Sequence, residues 1–344
     1  MTFSLPLPLC LILTPALVLL CVVLGLVWDR CFGEVRRWHP LVGVGWLANR
    51  IESSLNHDHD HHTQHDHERG HEHEREHDST RRMSYLKGLL AWCAVVLPVV
   101  VLAQIVLIWC AYVNLWLAVF VHAGLLYFCL CLQSLREHAE PIFRALERGD
   151  LAEARRRTSY IVSRDTAQAT EQDLSKAAVE SVLENGCDAV FAALFWFVLL
   201  GGAGAVLYRL SNTLDAMWGY RSPRFLYFGR VAARVDDGLN WVPARLTAIS
   251  YAVLGNTRLA WRCWRQQAPA WPSPNAGPVM AAGAGALELS LGGVAVYDGV
   301  AEQRPTLGAG PSPVASDIQR AWRLVRNTSL LWLGCLTMML MPFM

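Results

Sequence analysis

The chain of 344 residues has almost no net charge, +1 from 30 basic and 29 acidic side chains. That balance gives no bulk attraction to nucleic acid. No CxxC pair occurs, and the 10 cysteines are scattered, with Cys10, Cys21, Cys93, Cys110 and Cys335 inside apolar runs. They read as small buried hydrophobes in a reducing context, not as a disulfide framework. No GxxxxGK precedes a Ser or Thr, and no GxGxxG joins a strand to a helix, so a P-loop and a Rossmann site are both excluded. The N-terminal stretch lacks a basic n-region, a short apolar core and a small-residue cleavage site, so it is not expected to be a cleaved signal peptide. Strand periodicity is missing as well: the apolar spacing is helical throughout, and nothing reads as a sheet.

What is present is apolar. The chain is 53% hydrophobic, and its mean hydropathy of +0.25 is too high for an ordinary soluble protein. The expected fold is an all-α integral membrane protein with about four spanning helices, a re-entrant or buried apolar segment, and cytosolic helical loops. Residues 1–28 read as the first spanning helix, since Phe3 to Trp28 is long enough to cross. Residues 29–55 follow as a cytosolic juxtamembrane motif, placed inside by Arg30, Arg36, Arg37 and Arg50, with Trp38 and Trp46 suited to the interface. An anchor would need no more than that; Asp29, Glu34 and His39 exceed it.

Residues 56–82 form a His-rich linker. Nine of the 12 histidines fall between Asn56 and Asp78, interleaved with Asp and Glu and with no apolar residue. Such a tract cannot form a core and is expected to be disordered. It reads first as a solvated linker. Accessory transition-metal binding through His57, His59, His61 and His62, without fixed geometry, is the second reading.

Residues 83–133 read as a transmembrane hairpin whose uncharged turn, Cys110–Asn114, lies outside the cytoplasm, while Arg81, Arg82, Lys87 and Arg136 mark the inner ends. His122 falls inside the second span and is read as satisfied by a neighbouring helix. Residues 134–323 form a catalytic helical region. It opens on an amphipathic pattern (Leu135, Ala139, Ile142, Leu146, Leu151) and a turn at Gly149-Asp150, with Asp150 capping the next helix. It also holds the apolar segment 189–207 and a rigid turn at Pro272–Pro278 that leads into an Ala/Gly-rich helix. Thr306 to Pro313 reads as a loop, and residues 324–344 as a last spanning helix.

The charged chemistry lies in two blocks flanking 189–207, and both are expected to line one ionic site that handles a phosphate-bearing substrate and a metal. Glu180, Glu184 and Asp188 are spaced by four, on one helical stripe. The bland reading is a solvated acidic face. Because Asp188 opens a membrane-length apolar run, a metal or substrate site is preferred. Beyond the run, Asn212 and Asp215 share a face, as do Arg230 and Arg234, and Asp236, Asp237 and Asn240 crowd one turn. Arg164 and Asp165 form a short polar cluster before the stripe. Arginine forks suit phosphate, and Mg²⁺ takes one or two carboxylates with water and phosphate oxygens. ATP-dependent chemistry needs that mixture, and so does a plain salt-bridge network. If both blocks are to be cytoplasmic, 189–207 must dip and return or stay buried, with Gly201, Gly202 and Gly204 as the break.

These residues resemble the CobD/CbiB family, membrane-bound adenosylcobinamide-phosphate synthases. The matching motifs are DRxxGE…HP at Asp29–Pro40, RDT at Arg164–Thr166, ESVxENxxD at Glu180–Asp188 and LFW at Leu194–Trp196. YRLSNTLDAMWGY at Tyr208–Tyr220, FGRVAARVDDGLNWVPARLT at Phe228–Thr247 and SPNAG at Ser273–Gly277 continue the series in the family's order. Departures fall at Val35, Ala189, Ala192-Ala193, Ala203 and Val279-Met280, mostly where turns are built.

The resemblance implies ATP- and Mg²⁺-dependent amide ligation of (R)-1-amino-2-propanol, or its O-phosphate, to adenosylcobyric acid at a cytoplasmic face of the cell (inner) membrane. Other enzymes of the pathway and membrane lipid are the implied partners, with no nucleic acid. Glu180, Glu184, Asp188, Asp215 and Asp237 would then be catalytic, with Glu184, Asp188 and Asp236 toward Mg²⁺. Arg164, Asp165, Asn212, Arg230, Arg234, Asn240, Arg245 and Asn275 would hold substrate and phosphates, with Asp29, Arg30 and His39 closing the site. A cobalt or nickel transporter and a membrane sensory protein of the AmpE type are the alternatives. A transporter would place its charged ligands near the midplane.

Overall fold

The computed structural model describes residues 13–34, 40–56, 72–220, 222–297 and 299–343. The structure is helical apart from one hairpin: α1 (Pro15–Phe32), α2 (Pro40–Leu55), α3 (Glu72–Val113), α4 (Leu115–Cys129), α5 (Leu132–Glu147), α6 (Leu151–Thr158), α7 (Glu171–Gly186), α8 (Ala192–Trp218), α9 (Arg230–Leu254), α10 (Thr257–Gln267), α11 (Ala276–Leu287), β1 (Ser290–Tyr297), β2 (Val300–Gly308) and α12 (Ala315–Leu340). A single π-helical turn, Cys187–Phe191, joins α7 to α8.

Among the described residues, four helical stretches are long and apolar enough to cross a membrane: Pro15–Phe32, Thr80–Val113, Leu115–Glu147 and Glu171–Trp218. The first begins at Pro15 and continues through Asp29 and Arg30. The fourth is the surprise. Sequence reasoning placed the last span at Leu324–Phe343, but α12 is not among these four: it carries Arg323, Arg326 and Asn327 in its middle, and one face of its first half is buried in protein. The apolar remainder, from Ser329 to Leu340, is too short to span.

The chain forms two compact units. One is built from Val35–Cys129 and Trp196–Leu239, the other from Leu13–Glu34, Leu130–Phe195 and Asn240–Met344. In the first, α3 and α4 make the expected hairpin, turned at Asn114, whose side chain accepts the Trp116 and Leu117 N–H groups. Their outer faces leave Leu102, Ile105, Trp109, Trp116 and Phe120 exposed, as lipid-facing helices do. The inner face packs Ala91, Val95 and Val96 against Leu210, Leu214, Trp218 and Phe228. The apolar run breaks where it was expected to. Gly201 has φ +66° and ψ −158°, a conformation that only glycine adopts without strain. The N–H freed at Gly202 donates to His122 Nδ1 at 3.0 Å. The intramembrane histidine is thus satisfied by a neighbouring helix, and its ring proton resides on Nε2. The Trp196 indole N–H donates to Leu239 O, giving the LFW motif a structural role in this unit.

In the second unit α7 is the buried centre, covered by α5, α6, α11, α12 and β1. It starts at a capping box in which Thr170 and Asp173 satisfy each other's backbone N–H. Asp150 caps α6 as expected, and Leu135, Ala139, Ile142 and Leu146 are buried. Every residue of α11 is buried, its small side chains letting neighbouring helices approach. The unexpected element is the antiparallel hairpin of β1 and β2. It replaces part of the expected loop after Thr306, and its cues were the Asp298-Gly299 dipeptide beside the alternating Val294–Tyr297. Two glycines ahead of that alternation masked it, because Gly292 forms a bulge in the ladder.

Candidate active site

The second unit contains a cavity of about 410 Å³, lined by Arg164, Glu180, Glu184, Asn185, Trp271 and Arg304 among others. Glu180 is its organising group and is only 3% exposed. A carboxylate so buried is stable only if paired and fully hydrogen-bonded. Three elements supply that. Arg304 of β2 forks onto it, with Nη1 donating to Oε2 at 3.1 Å and Nη2 to Oε1 at 3.2 Å. Arg164, from the loop before α7, pairs with Oε2. The Gly292 N–H donates to Oε1 at 2.7 Å. That last bond exists because the bulge turns Gly292 out of the ladder, at φ +76°, where a Cβ would lie 2.0 Å from Pro305 O.

Each arginine is held in turn. The RDT loop is tied to β1 by the Asp165 N–H, which donates to Val296 O at 2.8 Å, while Asp165 Oδ1 accepts the Ala167 N–H. Thr166 donates its hydroxyl to Arg155 O. The Arg304 guanidinium lies over the Trp271 ring, 5.5 Å from its centroid. Its Nε–H is buried and finds no partner among the described residues.

One helical turn beyond Glu180, Glu184 also lines the cavity, yet its carboxylate makes no hydrogen bond or ion pair among the described residues. The two guanidinium groups are near enough to act on it electrostatically, as is Glu180. Asn185 beside it is fastened to Ser181, whose hydroxyl donates to Ile161 O. The acidic stripe ends there. Asp188 falls within the π-helical turn, where the Ala192 N–H reaches back to Cys187 O, and it does not line the cavity.

Other expected site residues are committed to structure. Asp29 is buried and accepts the Gln133 N–H at 2.8 Å, capping α5; Arg30 is exposed. Arg245 stacks on Trp241 at 4.6 Å, and its Nη1 and Nη2 donate to Asn275 Oδ1 at 2.6 Å and Pro274 O at 3.0 Å. It clamps the SPNAG turn rather than presenting an open fork to phosphate. Asn240 is buried.

In the first unit, Asn212 donates to Asp236 Oδ1 at 3.3 Å, and Asp236 and Asp237 lie close enough to Asp215 to interact with it. Arg230 and Arg234 share an exposed face, with Arg230 donating to the Tyr85 hydroxyl. Sequence reasoning missed an ion pair in this unit between exposed Arg224 and buried Glu52: Arg224 donates from Nε and Nη2 to the two oxygens of Glu52, and Asn56 bridges both residues. It also missed Arg304, just before the expected loop at Thr306–Pro313, and Trp271, just before the expected turn at Pro272–Pro278. No group of three or more His, Cys, Asp or Glu able to hold a metal occurs among the described residues. Glu184 and Asp188 do not share the cavity, and Asp236 belongs to the other unit. His39, His57, His59, His61 and His62 lie outside the described residues.

The sequence matches the family model described as CobD/Cbib protein over residues 22–325. Curated relatives named "Cobalamin biosynthesis protein CobD" include those of Stutzerimonas stutzeri, 52% identical with 92% of this chain and 96% of the relative covered, and Chromobacterium violaceum, 49% identical with 90% and 92% covered. That of Halalkalibacterium halodurans is 34% identical, with 90% and 93% covered. No solved structure matches the chain. The chain belongs to the CobD/CbiB family, and its role lies in cobalamin biosynthesis.

Proposed function

We propose that this membrane protein is an ATP-dependent acid–amine ligase, an adenosylcobinamide-phosphate synthase. It would join (R)-1-amino-2-propanol, or its O-phosphate, to adenosylcobyric acid as an amide, at the cytoplasmic face of the inner membrane. The observation that carries the reading is the unpartnered Glu184 carboxylate in a cavity whose arginines are held in place by Glu180.

A free carboxylate is a poor acyl donor; phosphorylation by ATP supplies a leaving group, and the amine then displaces phosphate to form the amide. That sequence needs cationic donors for phosphate oxygens, an acceptor for the amine's proton, and exclusion of water. Arg164 and Arg304 supply charge that Glu180 only half neutralises. Glu184 is placed to orient the ammonium and accept its proton, or to serve as one of the few carboxylates that Mg²⁺ requires. When bound, Mg²⁺ would withdraw negative charge from the phosphates. A space of about 410 Å³ accommodates the amine and the reacting arm, not a whole corrin, so the macrocycle would remain outside it.

The test is an assay in membranes with adenosylcobyric acid, aminopropanol phosphate, ATP and Mg²⁺, following the corrinoid product. Product that requires both ATP and the amine supports the proposal. Folded protein that forms none, with aminopropanol, its phosphate or ethanolamine, sinks it.

A further inference from the structure

Helix α10 has a face that the ligation reading leaves unused. One side packs inward: Ala260 and Cys263 are buried, with α11 so close that a Cβ on Gly285 would lie 2.7 Å from the Ala260 Cα. Its end is fastened to the hairpin by a reciprocal pair, Gln267 Nε2 to Gly308 O at 2.9 Å and the Gly308 N–H to Gln267 Oε1 at 2.6 Å. The opposite side presents Arg258, Trp261, Arg262 and Arg265, spaced i, i+3, i+4, i+7 and all exposed. The helix contains no acidic residue. None of the three guanidinium groups makes a hydrogen bond or ion pair among the described residues. By contrast, Arg144, Arg156, Arg157, Arg164, Arg224, Arg304 and Arg320 are each paired with a carboxylate.

We infer that α10 lies along the membrane surface and binds the headgroups of anionic phospholipids. Three unpaired guanidinium forks match phosphodiester oxygens in charge and shape. Trp261, exposed and edge-on to Trp264 at 5.2 Å, suits the boundary between headgroup and acyl chain. At 11 residues the helix is too short to span, and its inner face is already occupied.

The test compares the full-length, detergent-purified protein with R258Q/R262Q/R265Q, counting retained phosphatidylglycerol and phosphatidylcholine by native mass spectrometry. The wild type should prefer phosphatidylglycerol, and the triple variant should lose that preference, at roughly fivefold per arginine. The charge-preserving R258K/R262K/R265K variant should keep most of it, with an unchanged melting temperature in all three. Equal retention by wild type and glutamine variant overturns the inference, as does loss in the lysine variant equal to that in the glutamine one. Full displacement of the lipid by inorganic phosphate also overturns it, by making the face a free-phosphate site.

Discussion

Glu180 and Arg304, 124 residues apart in sequence, share two near-parallel hydrogen bonds of 3.1 and 3.2 Å inside the second unit. Each supports the other's burial: removing Arg304 leaves Glu180 with Arg164 as its one cation, and neutralising Glu180 leaves two guanidinium groups without their carboxylate. Arg304→Met and Glu180→Gln should each destabilise the protein by about 3–5 kcal/mol. The double variant should recover part of that loss. Thermal unfolding of the purified single and double variants measures the coupling; additive losses would show that the pair is not cooperative.

Glu184 should behave in the opposite way. Its carboxylate makes no hydrogen bond or ion pair among the described residues, so Glu184→Gln should leave the melting temperature unchanged or slightly raised. Ligation should fall at least a hundredfold, within the range for a positioned acid–base group. Activity that survives in a folded Glu184→Gln variant would remove the residue from the chemistry.

The break in α8 makes a prediction about stability alone. A Cβ on Gly201 would lie 2.8 Å from His122 Cε1, on a backbone that non-glycine residues avoid. Gly201→Ala should therefore cost about 1–3 kcal/mol. His122→Ala strands the Gly202 N–H and should cost about as much. His122→Asn, able to accept that N–H, should restore part of it; if it does not, capping is not what the ring contributes.

Deleting residues 57–77 should leave ligation intact, because the chemistry is assigned to groups elsewhere in the chain. Loss of activity without loss of protein would tie the His-rich tract to catalysis and revive metal handling as a primary role.

Much of this fold was legible because hydropathy and helix ends are local signals. Asp150, Asn114 and the Gly201 break could be read from a few neighbouring residues. The spacing of four that singled out Glu180 and Glu184 also included Asp188, and of the three only Glu180 and Glu184 line the cavity, with Arg164 from the short polar cluster before them. What was not legible depended on long-range pairing. Arg304 means nothing until the hairpin brings it to Glu180, and Arg224 nothing until it meets Glu52, 172 residues away. The contacts of Arg245 to Asn275 Oδ1 and a prolyl carbonyl could not be read from its neighbours, because those acceptors lie about thirty positions on. Asp29 shows the converse. A charged motif residue next to a membrane can exist to cap a helix, a role that sequence does not distinguish from binding.

The turn at Cys187–Phe191 puts two helical surfaces out of phase. Its surplus residue shifts everything beyond it by about 100° relative to an uninterrupted α-helix. A one-residue deletion beyond Asp188 would not unravel the chain; it would turn Ala192–Phe195 by that angle relative to α7, changing which of their side chains are buried while leaving Glu180 and Glu184 in place.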